Sequence, residues 1–293
     1  MTPSPDQEPV INPNPSLQDY YASLESRLGY RLVLGGTRHF GYYNSDTYWP
    51  FPIDRALRAM EDHLFDSLGL ETGANVLDAG CGDGHVAMHL AGRGLRVQGI
   101  DVVDRHVRKA QRNISARGLQ DAVAVRKMDY HHLDGLADES FDGVYTMETF
   151  VHATDPEAAA TEFFRVLKPG GSIALFEYDH ADTASHKLKL SLATINKYAA
   201  MPGYDRFGPG ILQRILEAAG FQDVVVTDLT VNVTPMLRLF CVIAYLPYLL
   251  IRLLGLQPWF VNTVAGVQGY RARKTCRYVA VSGRKPAAPQ RRP

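Results

Sequence analysis

The chain has 293 residues, with 31 Lys and Arg against 31 Asp and Glu, so its formal net charge is zero. Its 46% apolar and 21% charged composition excludes a mostly disordered chain, and the neutral balance speaks against a dedicated nucleic-acid binder, which carries a net positive field. Three scattered cysteines, Cys81, Cys241 and Cys276, supply neither a disulfide framework nor a zinc site and point to a reducing, cytoplasmic setting.

Taken in chain order, residues 1–16 are proline-rich, without an apolar run, and read as a flexible leader. Residues 17–70 form a helical and aromatic cap, with six aromatics between Phe40 and Phe51. A core of alternating strands and helices spans 71–233. Its strands are expected at Asn75–Ala79, Leu95–Asp101, Ala122–Met128, Phe141–Met147, Ser172–Tyr178 and Asp223–Val231. Helices fall at His85–Arg93, Asp104–Arg117 (with Asp104 as N-cap), Pro156–Leu167 and Ile211–Ala219, and Lys168-Pro169-Gly170-Gly171 stops the third. This alternation predicts an α/β fold, a parallel sheet with helices on both faces. Residues 179–208 read as a polar, partly helical insertion.

The segment 234–274 is too long for a connection between neighbouring strands. It contains Leu239–Ile251, thirteen residues without a charge between Arg238 and Arg252 and broken by Pro247. A spanning helix needs about twenty apolar residues, so no transmembrane span is expected. The segment is compatible with a substrate lid, a dimer surface, or peripheral contact with a bilayer through 235–260. A final strand at 275–283 and a basic flexible tail at 284–293 close the chain.

Val76-Leu77-Asp78-Ala79-Gly80-Cys81-Gly82-Asp83-Gly84 lies between the first strand and a helix. The glycines allow a tight turn and close approach of a ligand to the main chain. The spacing is not the dinucleotide G-x-G-x-x-G, and no G-K-[ST] follows to make a P-loop. Asp78 and Asp83 would repel a pyrophosphate and suit a cationic amine. Asp101 ends the second strand, where a carboxylate can accept two hydrogen bonds from a ribose diol, each worth about 1.5–3 kcal/mol. Asp129 ends the third strand and is placed to meet an adenine amino group. The site asks for a nucleoside with a cationic amine and no phosphate, a description that S-adenosylmethionine fits.

The motifs VLDAGCGDG, GID, MDY, FDGVYTMET and RVLKPGG make residues 73–180 resemble the class I S-adenosylmethionine-dependent methyltransferases. The resemblance implies a Rossmann-like seven-stranded sheet whose last strand is antiparallel. It also implies S-adenosylmethionine as cofactor and S-adenosylhomocysteine as product. It assigns the cofactor's amino-acid end to Asp78, Gly80, Cys81, Gly82 and Gly84, its ribose to Asp101 with Val102, and its adenine to the flanks Asp129 and Tyr130, with Met147 nearby. The stretch Glu148-Thr149-Phe150-Val151-His152-Ala153 resembles sterol 24-C-methyltransferases. His39-Phe40-Gly41-Tyr42-Tyr43 resembles an early segment shared by sterol, tocopherol and natural-product methyltransferases, from which Tyr42 is expected to touch the cofactor.

Glu148 and His152 would share a face if a helical turn forms. His152 is then the candidate general base and Glu148 its orienting partner or a cofactor contact. His131, His132 and His180 are weaker rivals, and no metal site is expected. Phe240, Tyr245, Tyr248, Trp259 and Phe260 could wall a pocket for a terpenoid, sterol-like or polyketide acceptor. Methyl transfer to such a molecule is the leading expectation, C-methylation ahead of O-methylation. The alternatives are a chain that keeps the cofactor but catalyses cyclisation or isomerisation, and a non-catalytic cofactor-binding partner protein.

Overall fold

The computed structural model describes residues 10–23, 25–26, 33–181 and 186–288. The expected leader over 1–9, the tail over 289–293 and residues 182–185 of the polar insertion lie outside them.

Among the described residues, one sheet contains β1 (Asn75–Ala79), β2 (Arg96–Asp101), β3 (Val123–Lys127), β4 (Phe141–Met147), β5 (Leu167–His180), β6 (Gln222–Asp228) and β7 (Cys276–Arg284). Their order is β3-β2-β1-β4-β5-β7-β6. β1 to β5 pair in parallel, and β7 runs antiparallel to both β5 and β6. The chain reverses direction across the sheet between β1 and β4, which opens a crevice at the carboxyl ends of β1, β2 and β4.

Alternation along each strand feeds two cores. Val76, Tyr145, Phe176 and Ala280 meet α2 (Ile53–Leu68), α3 (His85–Gly92) and α4 (Asp104–Ala116). Leu77, Val144, Leu175 and Val281 meet α5 (Pro156–Val166) and α7 (Ile211–Ala218) on the other face. Helix α2 turns Met60, Leu64 and Leu68, each fully buried, toward the sheet. Burial of this kind stabilises by about 1.5–3 kcal/mol per side chain. Gly69 ends α2 in the left-handed region, where its N–H bonds the Phe65 carbonyl. Asp155 caps α5 by accepting from the Ala158 N–H, with Pro156 in the first turn.

Several boundaries differ from the expected ones. β5 and β7 extend each other, pairing from Ser172 opposite Arg284 to His180 opposite Cys276, so β5 is twice the expected length. The Lys168–Gly171 stop is carried on its start beside a register shift at Phe141/Gly143. Val103, not Asp104, is the N-cap of α4, and Asp104 instead pairs with Lys127 at 3.0 Å.

The larger correction lies at 230–274. Instead of a strand to Val231 and a thirteen-residue apolar run, α8 (Thr230–Leu253) is a 24-residue helix that contains both Pro235 and Pro247. By length and composition alone it could cross a membrane. Its first half is part of the protein core: Val233 is 1% and Met236 0% exposed. It folds back through α9 (Val261–Ala272), and Gly266 lets the two approach, since a Cβ there would lie 3.3 Å from the Phe240 carbonyl oxygen. Helix α6 (His186–Tyr198) supplies Ile195 to the cluster holding this pair, together with Tyr20 of α1 (Pro15–Ala22). Glu25 accepts from the first N–H groups of α9 at 2.9 and 2.7 Å.

Candidate active site

The loop after β1 is shaped by its glycines. Gly80 has φ +100°, and a Cβ on it would lie 2.6 Å from the Thr149 hydroxyl. Thr149 in turn donates to the Ala79 carbonyl at 2.7 Å, tying the loop to the end of β4. Gly82, at φ +51°, would point a Cβ into open space, as expected where a ligand lies against bare main chain. Gly84 packs on α4, its Cβ position 3.2 Å from Ala110, and so serves the fold. The Cys81 side chain also faces inward, against Gly99, and burial beside the charges of Asp78 and Asp101 pushes its thiol well up.

Two adjoining cavities, of about 560 and 550 Å³ with their mouths, open at this point. Tyr21, Gly80, Asp101 and Thr149 line both and mark their boundary. The first contains Ile100, Val102, Met128, Asp129 and Tyr130; the second contains Asp78, Gly82, Asp83, His39, Met147 and Glu148. Eleven of the thirteen sequence-predicted site residues therefore line one cavity or the other; Gly84 lies behind the loop, and Tyr42 is placed elsewhere. Its ring packs on His63 at 5.0 Å and it lines neither cavity. His39 lines the second cavity instead, where the chain passes so close to α2 that a Cβ on Gly41 would lie 2.7 Å from the Ala56 Cβ.

The carboxylates differ in what they have left to offer. Asp101 Oδ1 accepts from the Val103 N–H at 2.8 Å, and Oδ2 from the Gly82 N–H at 2.9 Å and His106 Nδ1 at 3.3 Å. Burial works against its charge, yet His106 and these N–H groups hold it below the usual carboxylate range. With about four acceptor sites per carboxylate, about one is open to a ribose hydroxyl rather than two. Asp129 accepts from the main chain of Asn12 and His131 and from His131 Nδ1 at 2.8, 2.9 and 2.5 Å, and is likewise kept ionised against burial. Asp78 is the contrast. It is 2% exposed and its Oδ2 has no hydrogen-bond partner among the described residues. Burial first, then the Asp101 charge, raise it to about 7. A buried carboxylate oxygen left open beside Gly82 is chemically suited to a ligand ammonium.

The two residues expected to act together are separated. Glu148 adopts φ +57°, and a 3₁₀ turn over Phe150–His152 follows instead of an α-turn. Glu148 points toward β5 and β7, where it accepts from the Phe40 N–H at 2.7 Å, the Tyr278 hydroxyl at 3.0 Å and the Tyr178 hydroxyl. Burial raises its pKa. His152 turns the other way: Nδ1 donates to the Ala200 carbonyl at 2.7 Å, leaving Nε2 to accept from the Tyr21 hydroxyl at 3.2 Å. Burial lowers its pKa, so the ring is neutral. Glu148 therefore does not orient His152.

Of the weaker rivals, His131 serves Asp129, and His132 meets Asn12 Oδ1 at 2.6 Å. The described part of the expected flexible leader is thus docked: Asn12 bridges Asp129, His132 and Thr154, and Asn14 caps α1. The aromatic expectations divide. Phe40 lies between Tyr278, edge to face at 5.7 Å, and Phe240, tilted at 5.8 Å, and its N–H meets Glu148. Tyr48, Trp49 and Phe51 are exposed, as are Tyr245, Trp259 and Phe260, and Tyr248 is buried between α8 and α9.

The sequence reading missed Tyr21, Glu177, Tyr178 and Tyr278. Glu177 accepts from the N–H groups of Thr149 and Phe150 at 2.8 and 2.6 Å, shaping the turn after β4, and burial raises it to about 8. Tyr178 and Tyr278 are register partners across β5 and β7. Their meeting depends on the register that sets Ser172–Tyr178 against Tyr278–Arg284, which no local motif announces; Tyr21 carries no signal beyond the apolar spacing of α1.

Comparison with known proteins follows the same lines. A family model described as "Methyltransferase domain" matches residues 77–175. The chain is 44% identical over 277 residues to the S-adenosyl-L-methionine-dependent Diels-Alderase iccD of Talaromyces variabilis, covering 92% of this chain and 95% of that one. It is 30% identical over 221 residues to the sterol 24-C-methyltransferase ERG6B of Gibberella zeae, covering 72% of this chain and 57% of that protein. The crystal structure of the (4+2)-cyclase SpnF superposes with a TM-score of 0.72 over 92% of this chain and 95% of that chain, at 23% identity, a likeness of fold.

Proposed function

Because the chain belongs to the family of S-adenosylmethionine-dependent enzymes built on the class I methyltransferase fold, we propose that it uses the cofactor without consuming it and catalyses an intramolecular Diels–Alder cycloaddition of a lipophilic, unsaturated natural product. This replaces methyl transfer as the leading reading. The observation that carries it is the 44% identity to a Diels-Alderase across 92% of this chain.

The site's chemistry supports it. A cycloaddition forms two C–C σ bonds while three π bonds become one; no atom leaves and no net proton moves. Such a reaction asks for a shaped cavity that holds diene and dienophile together, a contribution that can reach about 7–11 kcal/mol. It needs no general base. Both residues that could have served are already engaged, Glu148 by Phe40, Tyr178 and Tyr278, and His152 by Ala200 and Tyr21.

In this reading Asp78 and the main chain of Gly80, Cys81 and Gly82 hold the cofactor's amino-acid end. Asp101 and Val102 hold the ribose, Asp129 and Tyr130 flank the adenine, Met147 lines the inner wall, and Gly84 seats the loop on α4. When bound, S-adenosylmethionine supplies a cationic sulfonium beside the substrate cavity. Phe40, Phe240 and Tyr278 form an apolar cluster behind Glu148, which lines the second cavity.

C-methylation of a lipophilic acceptor is the second reading, favoured by the Glu148–His152 stretch and the sterol methyltransferase match. One incubation separates them: purified protein, methyl-deuterated S-adenosylmethionine and an organic extract of the source organism, resolved by mass spectrometry. Cycloaddition yields an unlabelled product isomeric with its precursor. A product carrying the deuterated methyl overturns that reading in favour of methylation.

A further inference from the structure

The charge of the chain is neutral only in sum. Residues 229–293 carry ten Lys and Arg and no Asp or Glu, so residues 1–228 carry 21 against 31. Within the basic part, the second half of α8 turns one face outward: Val242, Leu246, Leu249 and Leu253, with Ile243 and Leu250 beside them, are 45–81% exposed. Their spacing of four, three and four residues places them along one side of a helix. At the end of α8, Leu254 and Trp259 are 59% and 76% exposed and continue the same apolar surface. Arg252, Arg271 and Lys274 are exposed nearby, and Arg271 lies over the Tyr245 and Tyr248 rings at 5.9 and 5.5 Å.

We propose that this face of the α8–α9 hairpin docks on the surface of an anionic phospholipid bilayer, with α8 lying along the interface. A row of leucines flanked by arginine and lysine, with an exposed tryptophan and tyrosine and no acidic residue, has the composition of an interfacial helix. The charge identifies the membrane as anionic, since basic side chains next to a negatively charged headgroup layer add attraction that salt screens. A spanning arrangement is excluded by the first half of α8. Val233, Met236 and Leu239 are buried in the core, and Asn232 Nδ2 donates to the Tyr43 carbonyl at 2.8 Å. The same helix sets Phe240 against Phe40, whose N–H donates to Glu148 in the second cavity, so α8 links the docked face to the residues behind that cavity. A lipophilic substrate held in the bilayer would meet the enzyme on this side.

The test is flotation of the full chain with unilamellar vesicles of phosphatidylcholine alone or with phosphatidylserine, at low and high salt, together with sedimentation velocity without vesicles. The expected result is flotation with the phosphatidylserine vesicles that weakens as salt rises. Leu246→Glu with Leu253→Glu should lower the bound fraction about tenfold or more, with unchanged affinity for S-adenosylmethionine showing that the fold is kept. Arg252→Glu with Lys274→Glu should abolish the preference for phosphatidylserine while leaving the apolar face intact. Absence of flotation with either vesicle overturns the proposal, and equal binding to both overturns the assignment of an anionic surface. A dimer that the leucine variant splits, without vesicle binding, assigns the face to a second copy of the chain instead.

Discussion

The two ends of the cavity differ in kind. At the β1–β2–β3 edge, groups that face a ligand come from consecutive strand ends and the main chain of one loop, so short motifs predict their position. At the β4–β5–β7 edge they come from residues far apart in sequence that meet only through pairing: Phe40, Glu148, Tyr178 and Tyr278 span 238 positions and converge on one carboxylate. The first edge carries the motifs shared with cofactor-binding relatives, and the second gathers groups that no short motif announces. Family motifs therefore identify a cofactor well and a reaction poorly.

The contrast can be broken most forcefully at Asp101. Asp101→Ala removes the acceptor for the Gly82 and Val103 N–H groups along with the site offered to a ribose hydroxyl. At about 1.5–3 kcal/mol for each charged hydrogen bond, affinity for S-adenosylmethionine should fall about 100-fold or more by titration calorimetry. Affinity unchanged from the wild type would remove Asp101 from the cofactor site.

A smaller effect is expected from pH. Asp78 is raised to about 7 in the unliganded protein, so it is mostly protonated at pH 6 and mostly ionised at pH 8. A ligand ammonium favours the ionised form, and affinity should rise about tenfold over that interval. The stability linkage has the opposite sign: a carboxyl raised above its unfolded value contributes stability at low pH that is lost as pH rises through about 7. Asp78→Asn should flatten the binding profile, and a slope that persists in the variant would assign the titration elsewhere.

At the other edge, Tyr278→Phe removes one donor from half-buried Glu148 and should destabilise the fold by about 1–3 kcal/mol in urea unfolding. No change in the midpoint would show that Glu148 draws nothing from β7. The smallest effect belongs to His152. His152→Gln should lower cycloaddition less than about fivefold, whereas loss of a working general base costs about 10²–10⁴-fold. A loss of that size would restore His152 to the chemistry.

How much could be read from the sequence follows the same division. The strand–helix alternation and the acids Asp78, Asp101 and Asp129 around the glycine loop were legible because their signals are local, while the antiparallel last strand and Tyr130 came only with the methyltransferase resemblance. Tyr42 was misplaced because the packing of Gly41 on Ala56, which turns its ring toward His63, is a tertiary contact. The Glu148–His152 pair was misjudged because the positive φ at Glu148 breaks the helical spacing assumed for it. Helix α8 was not recognised because a strand was carried to Val231 and the apolar run was bounded at Arg238 and Arg252, whereas the helix runs from Thr230 to Leu253 through both prolines, packed on α9. The docked segment around Asn12 carried only the composition of a loop, and its hydrogen bonds to Asp129 and His132 join residues more than a hundred positions apart.

The central claim is that the cofactor is retained while the substrate is rearranged. The most direct measurement supplies one equivalent of S-adenosylmethionine per protein, an excess of the precursor identified from the extract, and follows cycloadduct and S-adenosylhomocysteine together. The account predicts many equivalents of cycloadduct with S-adenosylmethionine intact. One S-adenosylhomocysteine formed for each product molecule, with product formation stopping at one equivalent, would contradict it.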